Sequence, residues 1–114
     1  MQLNTFLNNL QALPESIKLQ DTMAVIDTVY AYTPTAFTNG DLVNQAGENE
    51  GSCKLFAFAK LNSLDEENTL ACFGAYYRED VLQNPDSDSH QNIRNFMKTG
   101  WVGITFDDDV LVAK

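Results

Sequence analysis

The densest polar stretch of the chain is Asn39-Gly40-Asp41-Leu42-Val43-Asn44-Gln45-Ala46-Gly47-Glu48-Asn49-Glu50-Gly51-Ser52. Carboxylates and amides carried on glycine-containing turns can converge on one cation or on a sugar-like ligand, and loops of this kind often bear function. The stretch lacks the alternating acidic positions closed by a glutamate that a calcium loop needs. Asp41, Asn44 and Ser52 also suit a plainer role, satisfying turns and capping the helix that follows.

Two further clusters carry chemistry. In Tyr76-Tyr77-Arg78-Glu79-Asp80, Arg78 could clamp a carboxylate or phosphate with two parallel hydrogen bonds, or lie at the negative end of a helix with Tyr77 packed inward. In His90-Gln91-Asn92-Ile93-Arg94, the only histidine shares a helical face with Ile93 and Met97 and so stands beside the core. A hydrolase would need Cys53, Cys72 or a serine within reach of His90, with Asp80 or Asp88 orienting the ring. No G-x-S-x-G elbow is present, nor any phosphate-binding or dinucleotide fingerprint. Cys53 and Cys72 are flanked by aromatic residues and alanines, and their separation from each other and from His90 fits neither a zinc nor a redox motif. They read as two buried free thiols, with no metal and no cofactor.

These residues must be positioned by an α+β fold of about five helices with a few short strands, including a C-terminal hairpin. Leu3, Phe6, Leu7 and Leu10 form one helical stripe that Pro14 closes, giving a helix over 3–12. Ser16 to Leu19 alternates as a short strand would, and Met23, Val25, Ile26, Val29 and Tyr30 form the apolar face of a second helix, ended by Thr33-Pro34. Asn39-Gly40 predicts a tight turn between two extended pieces. A loop from Gln45 to Ser52 leads to Cys53–Leu61, apolar nearly all round and so the central buried helix. Ser63-Leu64-Asp65-Glu66 is a capping box for a fourth helix running through Tyr77, and Asp88 with Gln91 is a second cap, for a helix that Gly100 stops. The alternation of Val102, Ile104 and Phe106, the triplet Asp107-Asp108-Asp109 and then Val110-Leu111-Val112 predict the terminal hairpin.

The chain has 114 residues, 44% of them hydrophobic, which is the scale of one domain over 1–114 able to fold without disulfides or metal. Seven basic residues against sixteen acidic ones, a net charge of −9, make the phosphate term repulsive and argue against nucleic acid and anionic lipid as partners. No apolar run reaches membrane-spanning length and no secretory signal pattern opens the chain, so a cytoplasmic location is expected.

The strings TPTAFTNGDLVNQAGENEGSCKLFAFAKL, ACFGAYYREDVLQNPDSDSHQNIRNFM and GWVGITF together resemble one family, the HopJ family, named after a type III effector of plant-pathogenic bacteria. The resemblance spans nearly the whole chain. Its motif positions correspond to Asn39, Gly40, Asp41, Asn44, Asn49, Glu50, Cys53, Tyr76, Tyr77, Arg78, Glu79, Asp80, His90, Gln91, Asn92, Arg94 and Trp101, and no catalytic role comes with them. It implies a small α+β protein, and by its name delivery into a host cell. The first thirteen residues, without an acidic side chain and with several amides, suit a type III export signal and equally an amphipathic helix.

The expectation is therefore a binding protein, monomeric, whose partner is a small molecule or a protein. The three polar clusters would meet in a pocket lined by Asn39, Asp41, Asn49, Glu50, Tyr77, Arg78, His90 and Arg94. A translocated effector, or a small hydrolase using His90 with Cys72 or a carboxylate, are the alternatives.

Overall fold

The computed structural model describes residues 2–114. The α+β architecture is as expected: five α-helices, one π-helical turn, two 3-10 turns and five short strands. Helix α1 (Leu3–Ala12) places Phe6 and Leu10 at zero exposure, and α3 (Glu50–Leu61) runs through the middle, burying Cys53 and every residue from Leu55 to Ala59. Around Phe56 stand the rings of Phe37, Phe73, Phe96 and Trp101, with centroids between 4.9 and 6.4 Å from its own. Each such ring contributes about 1.5–3 kcal/mol by leaving water, so this aromatic nest is the core's centre of gravity.

Several boundaries differ from the expected ones, each for a local reason. Ser16 to Leu19 is no strand: Pro14–Ser16 forms a 3-10 turn and α2 (Leu19–Val29) begins at once. The carbonyls of Pro14 and Ile17 are taken by Arg78 instead of a neighbouring strand. Helix α2 stops before Tyr30, because Tyr30–Tyr32 is strand β1, drawn off to pair with the C-terminal residues. The tight turn falls one residue later than expected, on Gly40-Asp41, between β2 (Phe37–Asn39) and β3 (Leu42–Asn44), which leaves Asn39 inside a strand. Helix α3 starts three residues before Cys53, so Glu50, Gly51 and Ser52 are its first turn.

Helix α4 (Glu66–Ala71) is shorter than expected. The capping role belongs to Asp65, whose carboxylate accepts from the Asn68 N–H at 2.7 Å, while Ser63 sits in the left-handed region and Glu66 reaches across to the Trp101 N–H at 2.9 Å. The helix breaks at Gly74, which has φ +63; a Cβ there would stand 2.9 Å from the Leu19 nitrogen. Beyond the break the chain winds as a π-helical turn, Tyr76–Val81, with Leu82 N–H reaching back to the Tyr77 carbonyl. Helix α5 (Gln91–Thr99) begins after His90, not after Asp88, and ends at Gly100 as expected, φ +60. Val102 then lies in a 3-10 turn, Gly100–Gly103, 97% exposed, rather than on a strand.

The two C-terminal strands, β4 (Ile104–Phe106) and β5 (Leu111–Ala113), flank the aspartate triplet. They pair outward: β4 joins β2 and β5 joins β1, all antiparallel, giving the sheet orders β3-β2-β4 and β1-β5. Tyr30 opposite Ala113 and Asn39 opposite Ile104 belong to one register, so residues 29–40 and 103–114 form a single long ladder. Beyond the strand pairs themselves, its hydrogen bonds fall on Val29, Thr33, Ala36 and Gly40. The step from Thr33 to Ala36 is three residues where a regular ladder takes two, and the opposite strand makes the same step from Val110 to Asp107. One extra residue in each strand, at Pro34-Thr35 and Asp108-Asp109, breaks the ladder into two sheets without losing register. Among the described residues no helix is long and apolar enough to cross a membrane.

Candidate functional site

All three polar clusters contribute residues to one place, at the starts of α3 and α5. A cleft of about 220 Å³ opens between Asn49, Gly51 and Ser52 on one side and Tyr76, His90, Gln91 and Asn92 on the other, over Leu19, Phe73 and Ile93. Asn49 and His90 precede their helices in the left-handed conformation, φ 51 and φ 53. Neither helix start is capped by the side chain of its preceding residue. The N–H groups of Gly51, Ser52, Gln91 and Asn92 therefore lack intrahelical carbonyls, and the positive ends of two helix dipoles face one cleft.

His90 is held from two sides. Its ring stacks on Tyr76 with centroids 4.8 Å apart, and its Nε2 lies 3.1 Å from Asp80 Oδ2. Tyr76 remains 46% exposed, so the stack presents an aromatic face to solvent. Both ring partners come from the π-helical turn. Asp80 stands where the sequence offers a carboxylate to orient the His90 ring, whereas Tyr76 takes the place beside the ring expected of Tyr77 and Arg78, because the break at Gly74 and the wider winding shift the helical phase beyond Ala71.

Arg78 points away from the cleft, its guanidinium donating to the carbonyls of Ile17 (2.7 Å), Pro14 (3.3 Å) and Ala71 (3.5 Å). Tyr77 is half-buried and packs on the core. Arg94 binds the carbonyls of Ser89, Pro85 and Asp80, folding the 85–89 turn against α5. Glu50 is exposed at the start of α3, and its side chain, after burial itself, raises the pKa of the Tyr32 phenol. Asp41 accepts from Asn95 Nδ2 at 3.2 Å on the hairpin turn.

Asn39 is fully buried and is not among the residues lining this cleft. Its Nδ2 donates to the Asn92 carbonyl at 2.7 Å and to Asn92 Oδ1 at 3.1 Å, whereas its Oδ1 is buried without a partner among the described residues. Asn92 and Asn44 exchange amide hydrogen bonds, and Asn49 donates to Asn44 at 2.7 Å. This asparagine network links the hairpin β2–β3 to α5 and to the residue that opens α3, and so fixes the two helix starts relative to each other. Of the eight expected pocket residues, Asn49 and His90 line one cleft, Asn39 supports it from behind, and the remaining five stand elsewhere.

Burial pushes the Cys53 thiol up to about 11 and the Cys72 thiol up to about 12. Both are buried and unoxidised, and neither supplies a thiolate near neutral pH. No group of three or more potential metal ligands occurs among the described residues.

The family model described as HopJ type III effector protein matches residues 3–111. A solved crystal structure of a protein of unknown function, VPA0580, superposes with a TM-score of 0.99 at 59% sequence identity, over 100% of this chain and 95% of that one. No curated protein matches the chain. A match over all but the first two and last three residues, on the fold and the helix starts described above, makes this chain a member of the HopJ family.

Proposed function

We propose that the chain works by binding, and that it takes a small molecule bearing acceptor oxygens in the cleft between the starts of α3 and α5. The observation that carries this reading is the exposed Tyr76–His90 stack standing over two uncapped helix starts. A ligand's planar or apolar part would lie on the Tyr76 ring, and its oxygens would accept from the free N–H groups of the two first turns. Asp80 would hold the His90 ring in place through Nε2. Covalent chemistry has less support, since the thiols are held protonated.

Titration of the ¹⁵N-labelled chain with inorganic phosphate and with acetate tests it. Saturable shifts of the Gly51, Ser52, Gln91 and Asn92 amides are expected. Shifts absent from these amides, or spread evenly over the chain, would reject the cleft.

The family description favours a second reading, a type III effector delivered into another cell. Phe6 and Leu10 of α1 are fully buried, so export would require the core helix to unwind first. Fusion of residues 1 to about 20, the usual extent of an N-terminal targeting segment, to a folded reporter in cells with a type III apparatus tests this. A reporter retained in the cell would reject it.

A further inference from the structure

The C-terminal strands use only one edge. Asp107 and Val110 are bonded to Ala36 and Thr33, so the adjacent Phe106 and Leu111 turn their own N–H and C=O groups to the opposite side. That side faces a groove of about 710 Å³ between the strands and the last turns of α3. One wall is made of consecutive residues, Ile104–Phe106 and then 108–111, of both side-chain parities. A wall of that kind is a backbone edge rather than a sheet face. Opposite it lie Ala57 and Leu61, the latter 56% exposed. Asp108 and Asp109 stand exposed on the rim, and Lys60 lies over the Phe106 ring at 5.8 Å.

We propose that this edge accepts an extended basic peptide as an added strand, bonded to Phe106 and Leu111, with an apolar side chain on Leu61 and a lysine or arginine beside Asp108 and Asp109. Unpaired edges are commonly guarded by charge against stray pairing. Where the ladder breaks the guard is acidic, Asp108 and Asp109, in a chain of net charge −9, with Lys60 on the facing wall, so it repels a second copy of itself and neutral strands gain nothing from the carboxylates. A basic strand meets both the backbone edge and the carboxylates, which is strand addition with charge-set selectivity.

The probe is an acetylated, amidated nine-residue peptide of alternating valine and lysine, titrated into the ¹⁵N-labelled full chain. Shifts are expected at Ala57, Leu61, Phe106 and Leu111. Methylation of alternate peptide nitrogens should weaken binding about tenfold, as the loss of two hydrogen bonds implies. The doubly substituted Asp108→Asn, Asp109→Asn chain should bind several-fold more weakly, and a valine–glutamate peptide should give no shifts. Equal binding of the methylated peptide, equal binding of a valine–serine peptide, or shifts spread over the acidic surface and missing the edge would each overturn the proposal. So would concentration-dependent self-association that the peptide disrupts, since it would give the edge to a second copy.

Discussion

Asn44 and Asn92, 48 residues apart in sequence, exchange side-chain hydrogen bonds in both directions, Nδ2 to Oδ1 at 3.2 Å one way and 3.0 Å the other. Both side chains are buried, and the pair ties a hairpin strand to the first turn of α5. Removing one amide leaves the other's donor or acceptor without water or partner, which costs about 1–3 kcal/mol per buried group. Asn92→Ala should therefore lower unfolding free energy in urea by about 2–4 kcal/mol on that scale. Asn49→Ala, at an exposed end of the same network, should lose about 1 kcal/mol or less. Similar losses in the two variants would mean that the network is not what joins hairpin to helix.

Arg78 separates a structural from a ligand-binding role. Its planar guanidinium gathers carbonyls from the 14–17 turn and from the end of α4, three acceptors that a single ammonium cannot reach at once. Arg78→Lys should keep the charge yet destabilise by about 1.5–3 kcal/mol, the range for hydrogen bonds to charged groups. Any shift of the Gly51 and Ser52 amides by phosphate should be unchanged in that variant below its melting temperature. Loss of the phosphate response with full stability would place Arg78 in the cleft instead.

Much of the frame was legible because apolar spacing and punctuation residues act locally. The stripe of Phe6 and Leu10, the all-round apolar run into Leu61 and the stop at Gly100 all stand where periodicity places them. What was not legible depends on distant partners. Alternation around the aspartate triplet marks two strands but cannot say that β4 will join β2 and β5 will join β1 across more than sixty residues. At the site, Asp80 is legible as a carboxylate for the His90 ring, but Gly74 and the π-helical turn put Tyr76, rather than Tyr77 and Arg78, beside it. Asn39 reads as polar and turn-forming in the sequence, and its strand position turns it inward as support.

The left-handed residues at the helix ends, Ser63 just past α3 and His90 just before α5, permit a test of backbone against side chain. Ser63 has φ 55 and an exposed side chain, so Ser63→Gly should relieve left-handed strain and raise stability by up to about 1 kcal/mol. His90, φ 53, carries the same strain and also stacks on Tyr76. His90→Gly should thus be more stable than His90→Ala by about 1 kcal/mol, while both lose whatever binding the ring supports. Chemical denaturation of the three variants together with the phosphate titration checks both halves. If His90→Ala equals His90→Gly in stability, the left-handed start is not an enforced feature of α5.

The buried thiols predict the alkaline limb of the stability curve. Each has a folded pKa, about 11 for Cys53 and about 12 for Cys72, above the ordinary value of 9.0, burial being the first cause in both. The unfolded chain then releases these protons at lower pH than the folded one does. Their contribution is fully present below pH 9 and is lost progressively as pH rises from there towards 11 or 12. Urea midpoints should accordingly fall between pH 9 and pH 11, and the slope should be shallower in Cys72→Ala, even though that variant starts from a lower stability because of the cavity it leaves. A thiol reagent at pH 8 should react with the native chain only at the rate of its unfolding, since neither sulfur is exposed or ionised there. Rapid stoichiometric labelling of the native chain at that pH would contradict both the burial and the raised pKa values.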